Sequence, residues 1–206
     1  MLKKTSPLLL IVGLLLASGC GSSSNGSSHS TSSASAGGAA QENATVLAAD
    51  AKSAATGDIP DTQNFLTLRA SRPRVSMLYP EGWTVRETAS RVSIADKNNL
   101  VRISVSGGPT PTTASVRAQL VALERSTPGL KAGAAGVVSL KSGPAVKATY
   151  TTQSAPNPVT GKQVTLTVDR YVLAHGGRVA VVDLGTPVGV DNVDAYKRMI
   201  ESFKWL

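Results

Sequence analysis

The connections between strand-like segments in the second half of this chain are too short for anything except hairpins. Val137-Val138-Ser139-Leu140 and the segments 145–152, 163–174 and 178–184 are rich in apolar and β-branched residues. Between them lie only Ser142-Gly143-Pro144, Asn157-Pro158-Val159-Thr160-Gly161 and His175-Gly176-Gly177. A parallel pair needs a crossover of about a dozen residues or more, so the sheet these segments build is largely antiparallel. The first half agrees. Val75, Met77 and Tyr79 alternate with smaller or polar neighbours, Pro80-Glu81-Gly82 turns the chain, and Trp83-Thr84-Val85 resumes it. Arg91-Val92-Ser93-Ile94 leads through a polar turn at 96–99 into a strand with Val101, Ile103 and Val105 on one face and Arg102 and Ser104 on the other.

Two segments change period. Val116, Leu120 and Leu123, flanked by Val121, recur at helical spacing between Thr113 and Ser126, and Pro128-Gly129 closes the helix. Tyr196, Met199, Ile200 and Phe203 stand at i, i+3, i+4 and i+7, with Lys197, Arg198 and Glu201 off the stripe. Asp191 is placed to cap this second helix, and Asp194 complements its dipole. The expected fold class is α+β, an antiparallel β-sheet flanked by helices.

The N-terminus does not join that fold. Lys3 and Lys4 precede an apolar run over residues 7–17, too short to span a bilayer, which gives way to Ser18-Gly19-Cys20. Cys20 is the single cysteine of the 206 residues, so no internal disulfide forms. Residues 21–40 are almost wholly Ser, Gly, Ala and Thr, a composition that cannot bury enough apolar surface to offset ordering. Residues 44–56 could form a short Ala-rich helix, which Gly57 and Pro60 would stop. The domain reading is therefore 1–19 signal peptide, 20–62 acylated cysteine and flexible tether, and 63–206 globular domain.

Leu16-Ala17-Ser18-Gly19-Cys20 resembles the lipobox of bacterial lipoproteins, with Ala17 standing where the commonest lipobox has Leu. The resemblance implies cleavage before Cys20 and palmitate-type acyl chains on it, two of which suffice for stable anchoring. It implies a bacterial cell membrane location with the domain outside the cytoplasm. An ordinary secretory signal with a chance cysteine is the alternative. The sequence Met77-Leu78-Tyr79-Pro80-Glu81-Gly82-Trp83, the strand-rich middle and the closing 191–196 and Ser202-Phe203-Lys204-Trp205 resemble the PsbP-like family, which includes LpqN-type bacterial lipoproteins. This resemblance implies an α/β/α sandwich and a non-catalytic accessory or binding domain contacting an envelope protein or assembly, and it carries over no catalytic residue.

The residues themselves give little chemistry. Residues 63–206 hold one histidine, His175, before Gly176-Gly177, where it reads as an exposed turn residue. No nucleophile elbow, phosphate loop or His-Glu-x-x-His motif occurs. Asp191 and Asp194 suit helix capping better than cation binding, lacking the longer pattern of a calcium loop. Asp169 and Asp183 lie on neighbouring strands, either as paired carboxylates or in salt bridges with Arg170 and Arg178 on a solvated sheet face. Trp83 reads as a core aromatic, and Trp205 as packing for the last helix. No enzyme, cofactor or metal is expected. Residues 65–206 carry 18 Lys and Arg against 9 Asp and Glu, a net +9. Arg69, Arg72 and Arg74, clustered in sequence where tether meets domain, are the candidate contacts with anionic lipid or wall polymer. Export and the lack of aromatics interleaved with cations argue against nucleic acid. The alternative to a protein-binding lipoprotein is a small-molecule or lipid-binding one using a cavity between sheet and helices.

Overall fold

The computed structural model describes residues 57–206. The strands are β1 (Phe65–Ala70), β2 (Val75–Pro80), β3 (Thr84–Glu87), β4 (Arg91–Asp96) and β5 (Asn99–Gly107). Helix α1 (Thr113–Ser126) follows, then β6 (Lys131–Leu140), β7 (Gly143–Gln153), β8 (Thr165–His175), β9 (Arg178–Pro187), helix α2 (Val193–Glu201) and β10 (Lys204–Trp205). Every strand pairing is antiparallel, as the hairpin-length connections require. The fold is α+β.

The strands form two sheets rather than one. A seven-stranded sheet runs β3-β4-β5-β9-β8-β7-β6, and a three-stranded one runs β1-β2-β10. Alternation along β9 shows how the layers divide. Ala180, Val182 and Leu184 pack with Leu68, Val75 and Met77 of the small sheet and with Tyr196, Met199, Ile200 and Phe203. Val179 and Val181 face the opposite way, where Val116 and Leu120 of α1 lie over Val146, Tyr150, Leu166 and Val168. Two cores therefore sit on the two faces of one sheet. The helix α1 is closed at its start by a reciprocal capping box, with Thr112 Oγ1 accepting from Ser115 N and Ser115 Oγ accepting from Thr112 N.

Helix α2 begins differently from expectation. Its N-cap is Asn192, while Asp191 Oδ1 accepts from Val193 N at 3.2 Å. The Asn192 side chain turns inward and is 2% exposed. Its Oδ1 accepts from Ile59 N at 2.8 Å, and its Nδ2 reaches Gly57 O and Asn99 Oδ1 at 3.1 Å and Thr186 Oγ1 at 2.8 Å. Asn99 Nδ2 also donates to Gly57 O. Gly57 has φ +108, and an added Cβ would stand 3.3 Å from Asn99 Nδ2, so the joint takes glycine. Ile59 is buried in the core. Gly57 and Ile59, on the N-terminal side of the expected 62/63 boundary, thus pack with the domain. Cys20, the signal segment 1–19 and the tether up to residue 56 lie outside the described residues.

The chain enters at one end of the seven-stranded sheet. Asn99 starts β5 beside Gly57, and eight residues on, about 26 Å along the strand, Gly107 pairs with Arg178. At that far end lie the β1–β2 turn and the C-terminal strand, where Trp205 pairs with Val75.

Candidate functional site

A cavity of about 410 Å³ opens at the end where Gly57 enters. It lies on the α1 side of the sheet, bounded by the β4–β5 turn, the C-terminal part of α1 and the adjoining ends of β7 and β8. The antiparallel registers place these pieces together. Asp96 pairs with Asn99 and Gln153 with Thr165, so the β4–β5 turn and the last residues of β7 reach the same edge. Leu123, Leu130 and Leu166 supply its apolar wall. The volume is within the range of small-molecule pockets.

Its inner side is polar. Even-numbered positions of β5, β7 and β8 face α1, which brings Arg102, Tyr150 and Arg170 to one side of the sheet, with Asp183 of β9 among them. Arg170 grips Asp183 at two points, Nε to Oδ1 at 2.7 Å and Nη2 to Oδ2 at 2.9 Å, and its guanidinium lies 5.2 Å from the centre of the Tyr150 ring. Arg102 is held more loosely. Its Nη2 stands 3.8 Å from Asp183 Oδ2 and donates to Tyr150 Oη at 3.5 Å, while its Nε is buried without a partner. One carboxylate thus serves two guanidiniums. The Tyr150 phenol is pushed above its usual range, first by burial and then by the Asp183 charge, which keeps its proton in place.

Asp169 is not part of this group. It pairs across with Leu184, whereas Arg170 pairs with Asp183, so the two carboxylates point to opposite faces. They are neither a carboxylate pair nor partners of Arg178. Asp169 accepts from Thr149 Oγ1 and Lys147 Nζ at 2.8 Å, and burial lowers the Lys147 ammonium less than Asp169 and Tyr171 together raise it. Asp183 is 5% exposed, so its bridge belongs to the interior rather than a solvated face. Arg178 instead covers Trp205, its guanidinium 4.9 Å from the ring centre.

His175 is exposed at the end of β8 and stacks at 6.0 Å on Trp205, which meets Phe203 edge-on at 5.5 Å. Trp83 is half-buried against the core. Among the described residues no three His, Cys, Asp or Glu side chains converge as a metal set. Arg69 on β1 and Arg72 and Arg74 in the following turn are exposed. The latter two stand at the end of the domain opposite Gly57. A second, shallower cleft of about 320 Å³ along α2 mixes Asp194 and Glu201 with Lys141, Lys197 and Arg198. Among the described residues no helix is long and apolar enough to cross a membrane.

Arg102, Tyr150 and the Leu123 wall were legible in the sequence only as members of alternating or helical patterns. That they share a cavity depends on register and on the crossing of α1 over the sheet.

Neither a family model nor a curated relative matches the chain. Solved structures are similar to it at low identity. A Bacteroides thetaiotaomicron protein aligns over 68% of this chain at 14% identity and a TM-score of 0.44, and the chain spans about half of that protein's length, 48%. Cyanobacterial PsbP from Synechocystis sp. aligns over 73% of this chain and 98% of its own at 14% identity and a TM-score of 0.49. LpqN of Mycobacterium tuberculosis, described as involved in cell envelope biogenesis, aligns over 70% and 91% at 16% identity and a TM-score of 0.39.

Proposed function

We propose that this chain is a bacterial cell-envelope lipoprotein, acylated at Cys20 and held at the membrane outside the cytoplasm, whose domain binds without catalysis. The observation that carries the binding role is the cavity at the end where Gly57 enters, with an apolar leucine wall and a guanidinium on its inner side. The PsbP-like resemblance of Met77–Trp83 and of residues 191–205 implies the same class. Anchoring rests on the sole cysteine standing at the end of an apolar, positively headed run. Every described strand, helix and core lies within 57–206, so protein beginning at Gly21 keeps all of them. Such protein, exported and purified without detergent, is expected to show a bound small molecule by native mass spectrometry. Leu123→Trp, which fills the cavity from α1, removes it. An empty cavity that also takes nothing from an envelope extract overturns the reading.

A second reading rests on the exposed Arg69, Arg72 and Arg74, with Lys204 and Arg178 at the same end as the β1–β2 turn. This end meets an anionic surface, either an acidic envelope protein, anionic lipid or wall polymer. Arg72→Glu with Arg74→Glu is expected to abolish capture of that contact in cells by crosslinking, with the cavity unaffected.

A further inference from the structure

The cavity is charged in one sense only. Lys97 and Arg102 are the ionic side chains that line it, and no acidic side chain does. Lys97 has Asp96 4.0 Å away. The carboxylate beside Arg102, Asp183, is committed by its two-point bond to Arg170, so Arg102 is left with a distant ion pair and an unpartnered Nε. The Arg102 side chain is 37% exposed, which makes its guanidinium reachable from the opening. Tyr150 accepts from Arg102, which leaves its own proton to be donated. Beside this polar corner stand Leu123, Leu130 and Leu166, and a small molecule that filled the space would touch both.

We propose that the cavity takes a small organic anion with an apolar tail, its headgroup seated on the Arg102 guanidinium and the Tyr150 hydroxyl and its tail against Leu123, Leu130 and Leu166. The inference rests on the binding role given above and adds the sign of the ligand's charge. A guanidinium within reach of the opening recognises a carboxylate or phosphate head by charge-assisted bonds, and a leucine wall selects no particular tail. A neutral ligand would cover the Arg102 guanidinium without compensating its charge, and a cationic one would add to it.

Three probes with the same tail test this on protein beginning at Gly21: decanoate, decanol and decyltrimethylammonium, titrated by calorimetry at neutral pH. The expected order is decanoate over decanol by about tenfold or more, with no measurable binding of the ammonium. Arg102→Met removes the preference for decanoate and spares decanol, because Arg170 still holds Asp183. Arg102→Lys, which keeps the charge but loses the fork, retains part of the preference and serves if Arg102→Met does not fold. Leu123→Trp weakens decanoate and decanol alike. Equal binding of decanol, a preference that survives Arg102→Met, or indifference to Leu123→Trp overturns the inference. Failure of every probe overturns it too, and the ligand recovered by native mass spectrometry then judges the binding role separately.

Discussion

Arg170 and Asp183 face each other across β8 and β9 and close a two-point bond beneath helix α1, at 2.7 and 2.9 Å, with Arg102 a further 3.8 Å from the same carboxylate. The Arg170 side chain is 14% exposed and that of Asp183 7%, so the pair is desolvated. Such a pair is weak evidence of net stabilisation, but breaking it leaves a buried charge. Arg170→Met is expected to cost about 3 kcal/mol in urea unfolding, the lower end of the usual range, because Arg102 supplies part of the missing charge. Replacing both partners, Arg170→Met with Asp183→Leu, is expected to recover most of that loss. A double variant as unstable as the single one would show that the cost lies in packing over Tyr150.

Asn192 holds the start of the body. It bonds to Ile59 N, Gly57 O, Asn99 and Thr186 from a site that is 2% exposed. Asn192→Ala leaves the buried Ile59 amide without its acceptor, for an expected loss of about 2–3 kcal/mol. The local effect is more specific. Hydrogen exchange at Ile59 should accelerate well beyond that of the β8–β9 ladder, because the first residues detach before the sheet opens. Uniform acceleration would mean that Asn192 supports the whole fold instead.

Which of these features the sequence discloses depends on range. The period-two strands and both helical stripes are local, and α1 occupies the residues its apolar spacing marks, Thr113–Ser126. The second sheet is not local: β10 is two residues long and joins β2 across most of the domain. Asn99 and Asn192 read as a turn residue and a cap neighbour, and nothing nearby in sequence marks them as a buried network. The separation of Asp169 from Asp183 is an intermediate case. The two-residue Gly176-Gly177 turn pairs His175 with Arg178, and counting back from it puts Arg170 opposite Asp183 and Asp169 opposite Leu184. The cavity needs this register together with the placement of α1, and is therefore visible only in the folded chain.

Anchoring has a direct test. Cys20→Ser is expected to abolish metabolic labelling with a palmitate analogue and to move the protein from the detergent phase to the aqueous phase. Because residues 57–206 contain every described packing contact, the thermal midpoint of the variant should match that of the unacylated wild-type body. Retained labelling would place the acyl chain elsewhere.

Among the described residues, the groups whose ionisation the fold disturbs all move upward, which fixes where pH acts. Tyr150, Tyr171 and Tyr196 keep their protons beyond the usual phenol range, in each case first because burial disfavours the phenolate. In Tyr196 this outweighs hydrogen bonding that favours ionisation, and its hydroxyl donates to Gly185 O at 2.6 Å. With folded values raised, the unfolded chain releases these protons first, once pH passes the ordinary phenol value of 10.0. These groups therefore cost no stability at neutral pH. Above pH 10 stability falls by up to about 1.4 kcal/mol per pH unit for each tyrosine still protonated only in the folded state. Tyr196→Phe should be less stable than wild type at pH 7 by about 1 kcal/mol, having lost the bond to Gly185. It should also lose stability more slowly above pH 10, since one proton fewer separates the two states. Urea unfolding at neutral and alkaline pH reads both effects, and parallel alkaline slopes for the two proteins would show that Tyr196 is not among the groups that carry the dependence.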